Sequence, residues 1–144
     1  MLGDSRLRPE LVAGGTGRTV RLALAESLPG GTIDGAWWPY SRDLGVEAPA
    51  LLAALQERWH IGAVGWVAAG RAAWDRCPPQ IRVDGRWVRL RLLGMLDGRL
   101  LTVNFPDGDR IQLFVVPPNA PPDVATMALT AGAGGRMTID RRPR

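Results

Sequence analysis

Hydrophobic and polar positions alternate along much of this chain. From Arg18 to Leu24, R-T-V-R-L-A-L places Val20, Leu22 and Leu24 on one face, as a half-buried strand requires. Leu28-Pro29-Gly30-Gly31 reads as a turn. Thr32 to Trp37 then returns as a short strand, which Pro39 ends because it lacks a backbone donor. Between Glu47 and Trp59 the period lengthens: Leu51, Leu52, Leu55 and Trp59 recur at three- and four-residue spacing. Pro49 suits a first helical turn, and His60 with Gly62 closes the helix. Ile61 to Trp74 mixes glycines, which oppose a helix, with alanines, which favour one; strand is the reading taken.

Gln80 to Leu93 is a hairpin, because Asp84-Gly85 is the preferred two-residue turn. Pairing Val83 with Arg86 collects Ile81, Val83, Val88, Leu90 and Leu92 on one face. The other face then carries Gln80, Arg82, Trp87, Arg89 and Arg91. A second hairpin joins Arg99–Phe105 to Arg110–Val116 through Pro106-Asp107-Gly108-Asp109, and Pro117-Pro118 stops it. Asp123 is the expected N-cap of a last helix whose apolar stripe is Val124, Met127, Ala128 and Ala131. Strands followed mostly by strands, with two helices among them, predict an α+β domain. Its sheet should be mostly antiparallel, of about six to seven short strands, with the helices on one face and the other face partly wet. The domain should span 18–131, between flexible tails at 1–17 and 132–144.

Composition narrows the chemistry. At 144 residues the chain can bury a core without disulfides, and one cysteine, Cys77, forms none internally. No apolar run approaches the ~18 residues of a membrane helix. The opening M-L-G-D-S-R-L-R-P-E lacks the apolar stretch of a signal peptide, so a soluble cytoplasmic protein is expected. Every basic side chain is arginine; the absence of lysine removes the Walker phosphate loop and Schiff-base catalysis. The net charge of +4 falls largely on the last segment, where Arg136, Arg141, Arg142 and Arg144 face only Asp140. The folded middle therefore lacks the basic excess typical of nucleic-acid binding.

The least generic stretch runs from Gly31 to Leu44, G-T-I-D-G-A-W-W-P-Y-S-R-D-L. Adjacent tryptophans on a strand point to opposite faces, so one of Trp37 and Trp38 should enter the core while the other needs its own cover. With the leucine-rich helix, Ala73-Trp74-Asp75, Val83-Asp84-Gly85-Arg86 and Leu113 to Pro118, this stretch resembles the signature of a small actinobacterial domain family of unknown function. The resemblance spans roughly 18–131. It implies a single uncharacterised domain and transfers no catalytic residue. The Gly94-Met95-Leu96-Asp97-Gly98 loop departs from the more polar segment that the resemblance implies.

Asp34, Trp37, Trp38, Tyr40, Ser41, Arg42 and Asp43 form the first candidate binding site. Asp34 or Asp43 beside the indoles could act as a general acid or base, but aspartates before a glycine and before a helix ordinarily hold turns and caps. A serine–histidine–aspartate set would have to use Ser41 and His60, and no serine sits in a nucleophile elbow. One histidine and one cysteine supply no zinc site, Asp107-Gly108-Asp109 is first of all a turn, and Cys77 reads as a plain thiol. No cofactor or metal is expected. Arg82, Trp87, Arg89 and Arg91 form the second candidate, a solvated sheet face or a nucleic-acid platform. The reading is a binding or interaction module with an aromatic-rich loop. A small acid–base enzyme is the alternative, and nucleic-acid binding by the arginine–tryptophan face the third. A protein or small-molecule partner fits the aromatic density; nucleic acid fits the charge less well, and no membrane is expected.

Overall fold

The computed structural model describes residues 10–13, 19–25 and 33–133. Eight strands share one sheet: β1 Glu10–Ala13, β2 Thr19–Leu24, β3 Gly35–Trp37, β4 Trp66–Gly70, β5 Gln80–Val83, β6 Arg86–Leu93, β7 Leu100–Asn104 and β8 Arg110–Val115. Their order is β1-β2-β3-β8-β7-β4-β6-β5. Two neighbouring pairs are parallel, β3 with β8 and β4 with β6, and the other pairs are antiparallel. The α+β class and the mostly antiparallel sheet are thus present. β1 lies inside the stretch read as a tail, where four residues before a glycine run are too few to show alternation. The rest of that tail, the Leu28–Gly31 turn and the segment after Ala133 lie outside the described residues.

Helix α1, Leu44–Trp59, begins earlier than the leucine period suggests. Asp43 is its N-cap, its carboxylate accepting the Val46 N–H at 3.3 Å. Pro49 therefore sits within the helix, and not in its first turn as expected. His60 caps the other end in the left-handed conformation, at φ 55°. The turn between β5 and β6 has positive φ at both Asp84 and Gly85, and Val83 pairs with Arg86, the expected register.

α1 covers one face of the sheet. Leu44, Leu51, Leu52 and Leu55 pack against Leu22, Trp37, Val67, Val88, Leu90, Val103 and Leu113, the inward residues of six strands. Trp37 is buried, its ring stacked on Trp74 with centroids 5.7 Å apart. The expectation of both helices on one face is not met. α2, Pro122–Ala133, packs on the opposite face, on Ala23 of β2 and Ala36 of β3. Its buried stripe is Ala125, Leu129 and Gly132, whereas Val124 and Met127 of the expected stripe are exposed. Small residues decide this: a Cβ on Gly132 would stand 2.7 Å from the Ala36 nitrogen, so only glycine permits such an approach. Pro122, and not Asp123, opens the helix, which places Asp123 in the first turn. The ambiguous Ile61–Trp74 stretch resolves into coil, the strand β4 and a single 3-10 turn at Arg71–Ala73.

Because α2 occupies only the β2–β3 end of its face, the other end carries no helix among the described residues.

Candidate functional site

The aromatic loop joins β3 to α1, and its polar groups are engaged in holding that junction. Asp34 is buried beside β8. Its carboxylate accepts the Gln112 N–H at 2.9 Å, while its own N–H donates to the Gln112 carbonyl at 2.8 Å. Asp43 caps α1 and stands 3.4 Å from Arg76. Tyr40 and Ser41 both donate to Glu47, the Tyr40 N–H at 3.1 Å and the Ser41 hydroxyl at 2.8 Å. Glu47 is buried one turn into α1, where these donors compensate its lost hydration. Arg42 reaches over the chain to Asp75 at 3.1 Å and to the Ala72 carbonyl at 2.9 Å.

The half-buried Trp38 is covered as an outward indole must be. The Arg21 guanidinium lies 3.7 Å from its ring centroid and 3.8 Å from that of Tyr40. Arg21 also donates to the Trp38 and Pro39 carbonyls, at 3.0 and 2.9 Å, and the Trp38 N–H reaches the Pro118 carbonyl at 3.3 Å. Sequence reasoning singled out neither Arg21 nor Glu47. The only signal for Arg21 was a charged residue in an otherwise apolar strand, and Glu47 looked like an ordinary first-turn acid. Asp34 is thus bonded to β8 and Asp43 to the helix start.

Two of the hollows lined by described residues have the volume of a small-ligand site. One, about 340 Å³, lies between the loop residues Pro39 and Arg42, Trp74, the Asp97–Arg99 turn and Pro117-Pro118. Trp74 carries a buried indole N–H without a hydrogen-bond partner among the described residues. The other, about 620 Å³, opens between Trp59 and Ile61 after α1 and the Phe105–Ile111 hairpin. Sequence reasoning missed the second because it joins segments some fifty residues apart, Trp59 and Arg110 among them. Cys77 is partly buried, which pushes its thiol above the ordinary range against the opposing pull of Arg71, so it is a poor nucleophile at neutral pH.

The second candidate face is the end of the sheet that neither α1 nor α2 covers. The cross-strand register aligns Asn104 of β7, Trp66 of β4, Arg89 of β6 and Gln80 of β5 in one row. Ala68 and Arg91 form the next row, and Trp87 pairs with Arg82 beyond. All four predicted residues therefore share a face, and β4 adds Trp66 to it. Trp87 keeps 57% of its surface exposed although the Arg82 guanidinium lies 5.1 Å from its ring centroid. Arg91 lies 5.7 Å from the Trp66 centroid. No strand position on this face from β5 to β7 holds a carboxylate; Asp84 is in the adjoining turn. Pairing of β4 with β6 joins residues that are not local in sequence, so the hairpin alone could not reveal Trp66.

Among the described residues no helix is long and apolar enough to cross a membrane. Among the described residues, no three of histidine, cysteine, aspartate and glutamate come together as metal ligands would. A family model described as "Family of unknown function (DUF5994)" matches residues 21–132. No curated protein and no solved structure matches the chain.

Proposed function

Since the chain belongs to DUF5994, a family of unknown function, we propose its role from geometry: it is a binding module whose open sheet face takes an anionic partner. One observation carries this. Arg82, Arg89 and Arg91 are exposed side by side on a strand face without a carboxylate, interleaved with Trp66 and Trp87. The small net charge of the domain is compatible with that reading, because sign is sorted by surface: within 33–133 the acids lie in loops and turns, in α1 and α2, at a cap or facing β8, and none on this strand face. The test is retention on heparin, a polyanion without bases. Arg89→Gln with Arg91→Gln should lower the eluting salt concentration markedly, whereas Arg141→Gln with Arg142→Gln should leave most of the retention. The opposite ranking would remove the sheet face as the anion-binding surface.

A second reading keeps the aromatic loop as the site, favoured by the hollow of about 340 Å³ beside Pro39, Arg42 and Trp74. Its volume is at the lower end of small-ligand sites. The loop, Ala73-Trp74 and Val115 to Pro118, all segments on which the resemblance rests, meet around it. A thermal-shift screen of small carboxylic acids should give hits that Arg42→Ala removes. Hits that survive the substitution would place the ligand elsewhere.

A further inference from the structure

We infer that the anionic partner is single-stranded nucleic acid, its bases stacked on Trp66 and Trp87 and its phosphates held by Arg82, Arg89 and Arg91. This inference rests on the anion-binding reading of the sheet face and adds the identity of the partner.

The argument starts from what an arginine-rich face does not need. Phosphates or carboxylates would be satisfied by the three guanidinium groups alone. A tryptophan left 57% exposed at the turn end of such a face is a hydration cost unless a flat partner covers it. Trp87 sits on β6 two residues before Arg89, and Trp66 pairs with Arg89 across the β4–β6 ladder. Strand geometry then puts the two tryptophan positions roughly 8 Å apart, one step along the strand's face and one strand across. Arg82 and Arg89 flank Trp87, while Arg89 and Arg91 lie on one side of Trp66 and Asn104 on the other. Two aromatic platforms beside three cations on one sheet face is an arrangement that lets successive bases stack while the backbone is neutralised.

Charge complementarity excludes a cationic partner. Duplex nucleic acid has its bases already stacked inside, so it offers the tryptophans nothing. An acidic peptide matches the arginines but lacks π faces for the rings. Arg82 and Arg91 do not block stacking. Each lies more than 5 Å from the ring it accompanies, far looser than the Arg21 contacts at 3.7 and 3.8 Å, which are fixed by hydrogen bonds to backbone carbonyls.

The experiment is fluorescence anisotropy of labelled oligo(U) and oligo(dT) on the full chain, with duplex DNA, heparin and poly-glutamate as competitors. Binding should quench tryptophan emission. The plot of log K against log salt should have a slope of about −2, each phosphate contact contributing roughly −0.7. Trp87→Ala should weaken oligonucleotide binding roughly 5- to 100-fold while leaving heparin retention unchanged, and Trp87→Phe should restore part of the loss. Trp87 is exposed on a hairpin, so circular dichroism and the unfolding midpoint should stay at the wild-type values. Equal binding of heparin and oligonucleotide, with no effect of Trp87→Ala, overturns the nucleic-acid inference and leaves the anion-binding reading standing. Preference for poly-glutamate or duplex overturns it likewise. Oligonucleotide and heparin binding that both ignore Arg89→Gln with Arg91→Gln overturn the two together.

Discussion

Gly35→Ala is expected to destabilise the domain by about 3 kcal/mol or more, the upper end of what overpacking costs. Nothing about its backbone dihedrals demands glycine; the requirement is space. A Cβ at Gly35 would overlap the Ala23 carbonyl and stand 2.5 Å from a Leu24 methyl, with the Leu24 Cα at 3.0 Å. These belong to β2, its antiparallel partner, where Leu24 pairs with Gly35. A backbone carbonyl in a paired strand cannot rotate away as a side chain can. Gly132 of α2 presses from the other face, within reach of the Gly35 carbonyl carbon. β3 is only three residues long, so a shift of one residue moves the whole strand. Urea unfolding of the variant should give a lower midpoint with an unchanged slope. A loss below 1 kcal/mol would mean that β2 and β3 adjust more freely than their register implies.

The adjacent tryptophans should respond unequally. Trp37→Ala removes a buried indole from between the sheet and α1 and strips Trp74 of its stacking partner, a cost of about 3–5 kcal/mol. Trp38→Ala removes one ring of the Arg21 stack and one hydrogen bond to the Pro118 carbonyl, together about 1–2 kcal/mol. Given the usual stability of single domains, the first change consumes much of the folding free energy and the second does not. Equal losses would contradict the division of the pair into one core residue and one clamp residue. The comparison needs only denaturation curves, since no activity has to be assayed.

Local patterns were readable in the chain and non-local ones were not. Asp84-Gly85 fixed a turn type, and with it the register and facing of ten residues, because hairpin geometry is decided within four bonds of the turn. The alternation of Val20, Leu22 and Leu24 likewise marked their common face. Helix α2 defeated the same logic. Two of its larger apolar residues, Val124 and Met127, face solvent, while Ala125 and Gly132 face the sheet on either side of Leu129, since close backbone approach there outweighs hydrophobic size. At the candidate sites, Asp43 as a helix cap followed from its position before the leucine period. Asp34 bonds Gln112 of β8, a partner that the turn beside it does not mark, and the face with Trp87 gained Trp66 only through a parallel pairing of β4 and β6. Such pairings are set by how strands are inserted between one another, for which no single segment carries a mark.

The seam between β3 and β8 bears on how the chain acquires its structure in time. Asp34 and Gln112, 78 residues apart, are bonded there through both backbone and carboxylate. β1 and β2 connect to the rest of the sheet only through β3, and β3 only through β8. Closing so long a loop is entropically costly and slow compared with forming the β5–β6 or β7–β8 hairpin. During synthesis the first three strands therefore emerge long before their docking edge exists. The β5–β6 and β7–β8 hairpins can form without the first half, whereas the β3–β8 seam can close only when β8 has left the ribosome.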